Sequence, residues 1–264
     1  MWVVPVVAGL VGLAVGSFLN VVIYRVPRGE SLARPPSHCP ACGHPVRARH
    51  NLPVVGWLVL GGRCADCGAR FGVRYPLVEV VTGVVFAALA WRLADLHLLN
   101  ALPAYLYFAA IGIALAVIDL DCRRLPNAIV LPSYPVLALL LAASALAERD
   151  GWALARAGIG AAALLAFFAT ITLAHPAGMG LGDVKLSGLL GGVLAYLSWS
   201  TVVIGTFAGF LLGAVVGIGI MLARHGDRRT AVPFGPFMVA GALAGVFLAE
   251  PAAGLYAHLL PGGP

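Results

Sequence analysis

Apolar residues run through this chain in eight long stretches, at about 2–24, 76–94, 101–119, 128–147, 153–174, 185–200, 201–223 and 236–259. About 20 consecutive apolar residues cross a bilayer core as a helix, so each stretch predicts a transmembrane helix. Ser198-Trp199-Ser200 is the only signal that separates the sixth from the seventh. No basic segment precedes the first, which reads as a retained anchor rather than a cleaved signal. One long polar segment interrupts the series, at 25–75, rich in Pro, Gly, Arg and Cys. The expected fold class is an all-α polytopic membrane protein of about eight transmembrane helices with one small polar insertion. The composition, 61% hydrophobic and 11% charged with mean hydropathy +0.95, excludes an ordinary soluble domain.

The basic residues orient the bundle. The insertion carries Arg25, Arg28, Arg34, Arg47, Arg49, Arg63, Arg70 and Arg74. With eight spans, the same side also receives Arg123, Arg124, Lys185, Arg224, Arg228 and Arg229, against Arg92, Arg149 and Arg156 on the other. The positive-inside rule places residues 25–75 in the cytoplasm and both termini outside. This topology accounts for the net charge of +6. No basic helix and no aromatic-basic interleaving points to a nucleic-acid partner; the expected surroundings are membrane lipid.

Small residues recur at spacings of three and four, at Gly9, Gly12 and Gly16 in the first span and Gly205, Gly209, Gly213 and Gly217 in the seventh. Such stripes let helices approach closely and predict packing.

Fifty residues rarely build a stable core unaided, so the insertion needs a staple. It contains Cys39-Pro40-Ala41-Cys42-Gly43 and Cys64-Ala65-Asp66-Cys67-Gly68. Two C-x-x-C pairs, each closed by a glycine, suit the four corners of a tetrahedral structural zinc site in a zinc-ribbon-like fold. The alternatives are disulfides, disfavoured in a cytosolic segment, or thiols without metal. Cys122 stands apart and reads as a bystander.

Two acids occupy costly positions at the ends of apolar runs. Asp119 closes the third run, ahead of Asp121-Cys122-Arg123-Arg124-Leu125-Pro126-Asn127. Asp183 follows Gly178-Met179-Gly180-Leu181-Gly182. Both fall at cytoplasmic helix ends, and a carboxylate pair that shares a proton activates water in aspartic proteases. On a helix Asp119 and Asp121 point about 200° apart; Asp119 faces the bundle and Asp121 is a solvated neighbour of the arginines. Asp183 is either one of a catalytic pair or a helix cap. Gly178, Gly180 and Gly182 permit extended or left-handed backbone and the approach of a peptide. Lys185, the chain's one lysine, either snorkels to the interface or biases the ionisation of the pair.

Together these segments resemble the type IV prepilin peptidase family (prepilin leader peptidase/N-methyltransferase), whose GxGD element is similar to that of other membrane aspartyl proteases. The resemblance covers nearly the whole chain: Gly16-Ser17-Phe18-Leu19-Asn20 through Tyr24-Arg25, the cysteine tetrad, Arg74-Tyr75-Pro76-Leu77-Val78-Glu79, Asp119 with Leu125-Pro126-Asn127, Gly180-Leu181-Gly182-Asp183, and Pro233-Phe234-Gly235-Pro236-Phe237. It implies a multi-pass enzyme of the bacterial inner membrane with active sites facing the cytoplasm. Such an enzyme cleaves the basic leader of prepilins and pseudopilins, using Asp119 and Asp183. It then methylates the new N-terminal residue with S-adenosyl-L-methionine. The implied division is a first helix at 1–24, a methyltransferase-associated, zinc-binding four-cysteine insertion at 25–75 and a protease bundle at 76–264.

There is no glycine-rich Rossmann fingerprint for the methyl donor. Glu79, at the start of the second span, either contacts the donor or the substrate amine, or pairs with Arg74 or Arg25; Asn20 and Tyr24 are weaker candidates. Two other classes compete for the acids. One is a metal-dependent membrane transferase using Asp119, Asp121 and Asp183. The other is a proton-coupled transporter, which acids at one face rather than the midplane argue against.

Overall fold

The computed structural model describes residues 2–39, 41–47, 50–175, 179–223 and 233–259, those from 250 onward by backbone alone. Gly178, Arg49, Arg224, Arg228 and Arg229 lie outside the described residues. Every apolar run is helical: α1 (Val3–Arg25), α3 (Arg74–Asp95), α4 (Leu102–Cys122), α5 (Asn127–Glu148), α6 (Gly151–Ala174), α7 (Leu181–Leu197), α8 (Trp199–Ala223) and α9 (Gly235–Leu259). A short α2 (Val55–Val59) lies in the insertion. Among the described residues, six helices are long and apolar enough to cross a membrane: α1, α3, α4, α5, α6 and α8. The predicted turn at Ser198 does separate α7 from α8. At 17 residues α7 is about 26 Å long, short of a ~30 Å hydrocarbon core. Nearly all of its central face is buried against other helices.

Large apolar side chains stand exposed along the outer helices, among them Leu10, Phe18, Leu139, Leu173, Val203 and Phe207. In water such a surface would drive association; on helices of this length it is a lipid-facing surface. The chain is an all-α, multi-pass membrane protein.

Two compact units divide the chain at 1–114 and 115–264, so the boundary falls inside α4. In the first unit, α1 packs on α3 through the predicted glycine stripe. A Cβ on Gly12 would sit 2.8 Å from Gly83 Cα, and one on Gly16 2.7 Å from Glu79 Cα. Arg25 ends α1, and a 3₁₀ turn (Val26–Arg28) follows, closed by left-handed Gly29. The buried Arg25 guanidinium donates to the carbonyls of Ser31 at 2.9 Å and Pro35 at 2.7 Å, so its charge holds the start of the insertion in place.

In the second unit α6 packs on α7 and α8 on α9. Gly160 and Gly191 touch backbone to backbone, as do Gly209 and Gly241. Gly205, Gly209 and Gly213 line the α8–α9 seam, whereas Gly217 meets none of the described residues there. Both ends of α7 are tied. At its C-terminus Arg156 of α6 donates to the carbonyls of Ala195, Tyr196 and Leu197, which satisfies orphan acceptors and opposes the helix dipole. Near its N-terminus the Tyr134 hydroxyl of α5 donates to the Lys185 carbonyl at 2.6 Å.

Candidate active sites

Asp119 sits in the last turn of α4 and is 6% exposed. The helix stops three residues later, where Arg123 turns left-handed at φ 52° and donates its N–H to the Asp119 carbonyl. Asp121, on the opposite face, is exposed. Leu125 and Pro126 lead into α5, with Pro126 as its N-cap.

Asp183 differs from expectation in its setting. The helix begins at Leu181, with extended Gly180 (φ −81°, ψ 152°) as N-cap, so Asp183 is the third helical residue and not the cap itself. Its carboxylate still satisfies an orphan donor, because Oδ2 accepts the Gly180 N–H at 3.2 Å, half of a capping box. Capping and placement at the site are therefore both present in one side chain. Gly180 is extended and not left-handed. Gly182 is helical, and its lack of a side chain makes room for Leu125; a Cβ at Gly182 would lie 3.0 Å from the Leu125 Cβ.

Leu125 also approaches Gly235 at the start of α9. The Gly235 N–H donates to Asp119 Oδ2 at 3.0 Å in a buried contact. Three segments distant in sequence, 119–127, 180–185 and 233–237, thus converge around one leucine. Lys185 Nζ donates to Asn127 Oδ1 at 3.0 Å. Asp119, Asp183, Gly180, Gly182 and Lys185 share this corner of the second unit. The Asp119, Asp121 and Asp183 carboxylates do not form a metal-sized cluster; among the described residues the only such group is the cysteine tetrad. The metal-dependent transferase loses its ligand set, since Asp121 leaves α4 on the far side from Asp119.

The first unit holds the other two predicted features. Each C-x-x-C forms a knuckle: Gly43, at φ 72°, donates its N–H to the Cys39 carbonyl, and Gly68, also at φ 72°, donates to that of Cys64. Arg47 bridges the knuckles through Asp66 at 2.7 Å. Sulfur separations are 3.8 Å for Cys39–Cys67 and 4.0 Å for Cys42–Cys64, and all four sulfurs lie within 4.8 Å of one another. Metal–sulfur bonds of about 2.3 Å, the zinc value, give a tetrahedron with edges of about 3.8 Å. The donor set fits, and all four cysteines are free thiols rather than disulfides. Backbone N–H groups of Cys67 and Asp66 pull the Cys64 thiol down to about 7. The Cys42 thiol, although the His44 backbone favours its thiolate, is driven up to about 12 by desolvation and the neighbouring sulfurs. Four sulfurs this close ionise together only around a cation.

Beside the knuckles lies a cleft of about 190 Å³, lined by Asn20, His50, Trp57, Tyr75 and Glu79 among others. Glu79 is 8% exposed, and its Oε2 accepts the Val54 N–H at 2.7 Å. Val54 is a β-branched residue at φ 61°, an outlier of the kind that marks functional sites. Arg25, one of the two expected partners of Glu79, is committed to carbonyls instead. Asn20 donates to the Tyr75 carbonyl at 3.1 Å and so joins α1 to the same rim.

Two family models match the chain: the bacterial peptidase A24 N-terminal domain over residues 10–93 and the type IV leader peptidase family over residues 106–218. The prepilin leader peptidase/N-methyltransferase of Pseudomonas putida is 36% identical over 262 residues, covering 90% of this chain and 88% of the relative. That of Pseudomonas aeruginosa is 33% identical, with coverages of 89% and 87%. The chain belongs to the type IV leader peptidase family. Another relative, the type 4 prepilin-like proteins leader peptide-processing enzyme of Escherichia coli strain H10407, is 37% identical over 92% of this chain and 94% of its own length. No solved structure matches. Within this leader peptidase frame the N-terminal match encloses the tetrad, the cleft and Glu79, and the second match encloses both aspartates. Gly235 lies beyond both matches; in the sequence it belongs to Pro233-Phe234-Gly235-Pro236-Phe237, one of the segments of the resemblance, but with no role of its own.

Proposed function

We propose that this protein cleaves the basic leader of type IV prepilins or pseudopilins with Asp119 and Asp183 and then methylates the new N-terminal amine. The convergence of the two acids in one corner, each with one oxygen held by a glycine N–H, is the observation that carries the cleavage step. One carboxylate of the pair takes a proton from water, and the other donates a hydrogen bond to the scissile carbonyl. The two protons belong to the pair rather than to either residue. Water attacks the carbonyl directly and no acyl-enzyme forms. Gly180, Gly182 and Lys185 shape the entrance for the peptide.

Methyl transfer falls to the insertion at 25–75 and its junction with α1 and α3, and cleavage to the bundle within 76–264. Zinc in the cysteine tetrad holds the insertion together and takes no part in chemistry, since a four-sulfur shell leaves no open position. S-adenosyl-L-methionine, when bound, supplies an electrophilic methyl group on a sulfonium. The cleft suits a cation, with Trp57, Tyr75 and Glu79 in its lining. Glu79 also holds Val54, and with it the wall of the cleft. The excess of arginine in the insertion supports an inner-membrane protein with both sites at the cytoplasmic face.

Incubation of the purified protein with a synthetic prepilin and labelled S-adenosyl-L-methionine, read by mass spectrometry, tests both steps. Leader loss plus one methyl group on the mature N-terminus is the expected result. An intact prepilin would overturn the peptidase reading, and cleavage without label the methyltransferase reading.

A further inference from the structure

Phe234 and Gly235, between Pro233 and Pro236, lead into the start of α9. Phe234 is anchored in an aromatic cluster, 5.2 Å from the Phe210 ring and 6.3 Å from the Phe168 ring. Gly213 leaves room for that ring; a Cβ there would come within 3.1 Å of it. Gly235 comes next and opens α9, and its N–H meets Asp119 Oδ2. A Cβ at Gly235 would lie 2.7 Å from Asp119 Oδ2 and 3.4 Å from its Cγ, but 3.5 Å from Leu125 Cδ2. The first atom displaced by any side chain at 235 is thus the carboxylate.

We propose that Gly235 is a positioning residue for Asp119: anchored through Phe234, it fixes one carboxylate oxygen through its N–H and, by having no side chain, lets Asp119 reach its working place. The proposal rests on the reading of Asp119 as one of the catalytic pair. A hydrogen bond from a backbone group cannot rotate away as a side chain can, so the acid is held before substrate arrives.

The test uses the full chain in detergent with a synthetic prepilin. Gly235→Ala is expected to lower kcat about 100-fold, the cost of a displacement of about 1 Å, while KM stays near wild type. Gly209→Ala is the packing control, because its Cβ meets the α9 backbone at Phe237 O, 3.1 Å away, and does not touch Asp119. It should lower the melting temperature and leave kcat near wild type. Adding Leu125→Ala to Gly235→Ala should not restore cleavage. Wild-type kcat in Gly235→Ala, equal kcat losses in both glycine variants, or rescue by Leu125→Ala would each overturn the proposal. If Gly235→Ala does not fold, Phe234→Leu loosens the corner without adding an atom; unchanged kcat there would also overturn it. Asp119→Asn separates the two levels. Should that variant still cleave, the acid-pair reading fails; should it be inactive while Gly235→Ala is normal, only the role of Gly235 fails.

Discussion

Lys185 and Asn127 are joined across 58 residues of sequence by a 3.0 Å hydrogen bond from Nζ to Oδ1. It fastens the first turn of α7, two residues past Asp183, to the first residue of α5, just after the loop that leaves Asp119. Lys185→Met breaks the tie at a cost of about 1 kcal/mol. Prepilin cleavage should slow by less than about tenfold, with a small fall in melting temperature. Complete loss of cleavage would give Lys185 a direct part in the chemistry.

Removal of either acid should have a far larger effect. Asp119→Asn and Asp183→Asn each keep the shape of the side chain and remove its ability to exchange a proton. Cleavage should drop to background in both, while methylation of an already mature pilin peptide continues at the normal rate. Under the proposed division of labour that second readout uses residues of the first unit only, so its loss would indicate a global defect.

Glu79 invites a graded comparison. Glutamine can still accept the Val54 N–H through its amide oxygen, but it carries no charge. Glu79→Gln should therefore leave the melting temperature within about 1 °C of wild type, as expected for a retained hydrogen bond, yet reduce methyl transfer. Glu79→Ala leaves a half-buried N–H without this partner, costing about 1 kcal/mol, and should lower both. Equal methyl transfer in Glu79→Gln and wild type would remove the charge from the argument.

The tetrad should behave as a structural clamp. Cys39→Ser changes its most buried member. Metal analysis of the purified variant should show zinc falling from one per chain toward none, and methyl transfer should fall with it. A strong chelator should reproduce this in the native protein. Prepilin cleavage that persists after zinc loss would show that the clamp serves the first unit alone.

Glycines in the stripes are not equivalent. Gly12→Val pushes two methyl groups into the α3 backbone, where a Cβ already comes within 2.8 Å, and should destabilise by about 1–3 kcal/mol. Gly217→Ala meets none of the described residues and should leave the melting temperature unchanged or slightly raised. Thermal unfolding in detergent distinguishes the two.

The helices were legible because a bilayer demands long apolar runs and short connections; even Ser198 marked its turn. The cysteine knuckles were legible from spacing, since two thiolates per turn and a following glycine leave little choice of geometry. At Asp183 the reading stopped short. Gly182 and Asp183 look like a turn, but Gly180 caps the helix and draws both inside it. Glu79 was expected to contact the donor or the substrate amine, or to pair with an arginine, whereas its hydrogen bond is to a backbone N–H on a valine at φ 61°, and no residue type announces such a conformation. Gly235 stood inside a segment of the resemblance, but its role was not legible for a similar reason. Its contribution is a backbone donor and an absence of atoms, and neither has a side-chain signature.

Both acids are gripped by main-chain amides, and this shapes how the corner responds to mutation. A side-chain donor is lost with almost any substitution, whereas an amide survives all but proline. At Gly180 a Cβ would stand 3.6 Å from the Asp183 carboxylate, an ordinary contact, so alanine there is compatible with the grip. At Gly235 the same methyl group strikes Asp119. Two glycines with the same task thus differ sharply in mutational tolerance, and random mutagenesis should recover active changes at one and hardly any at the other.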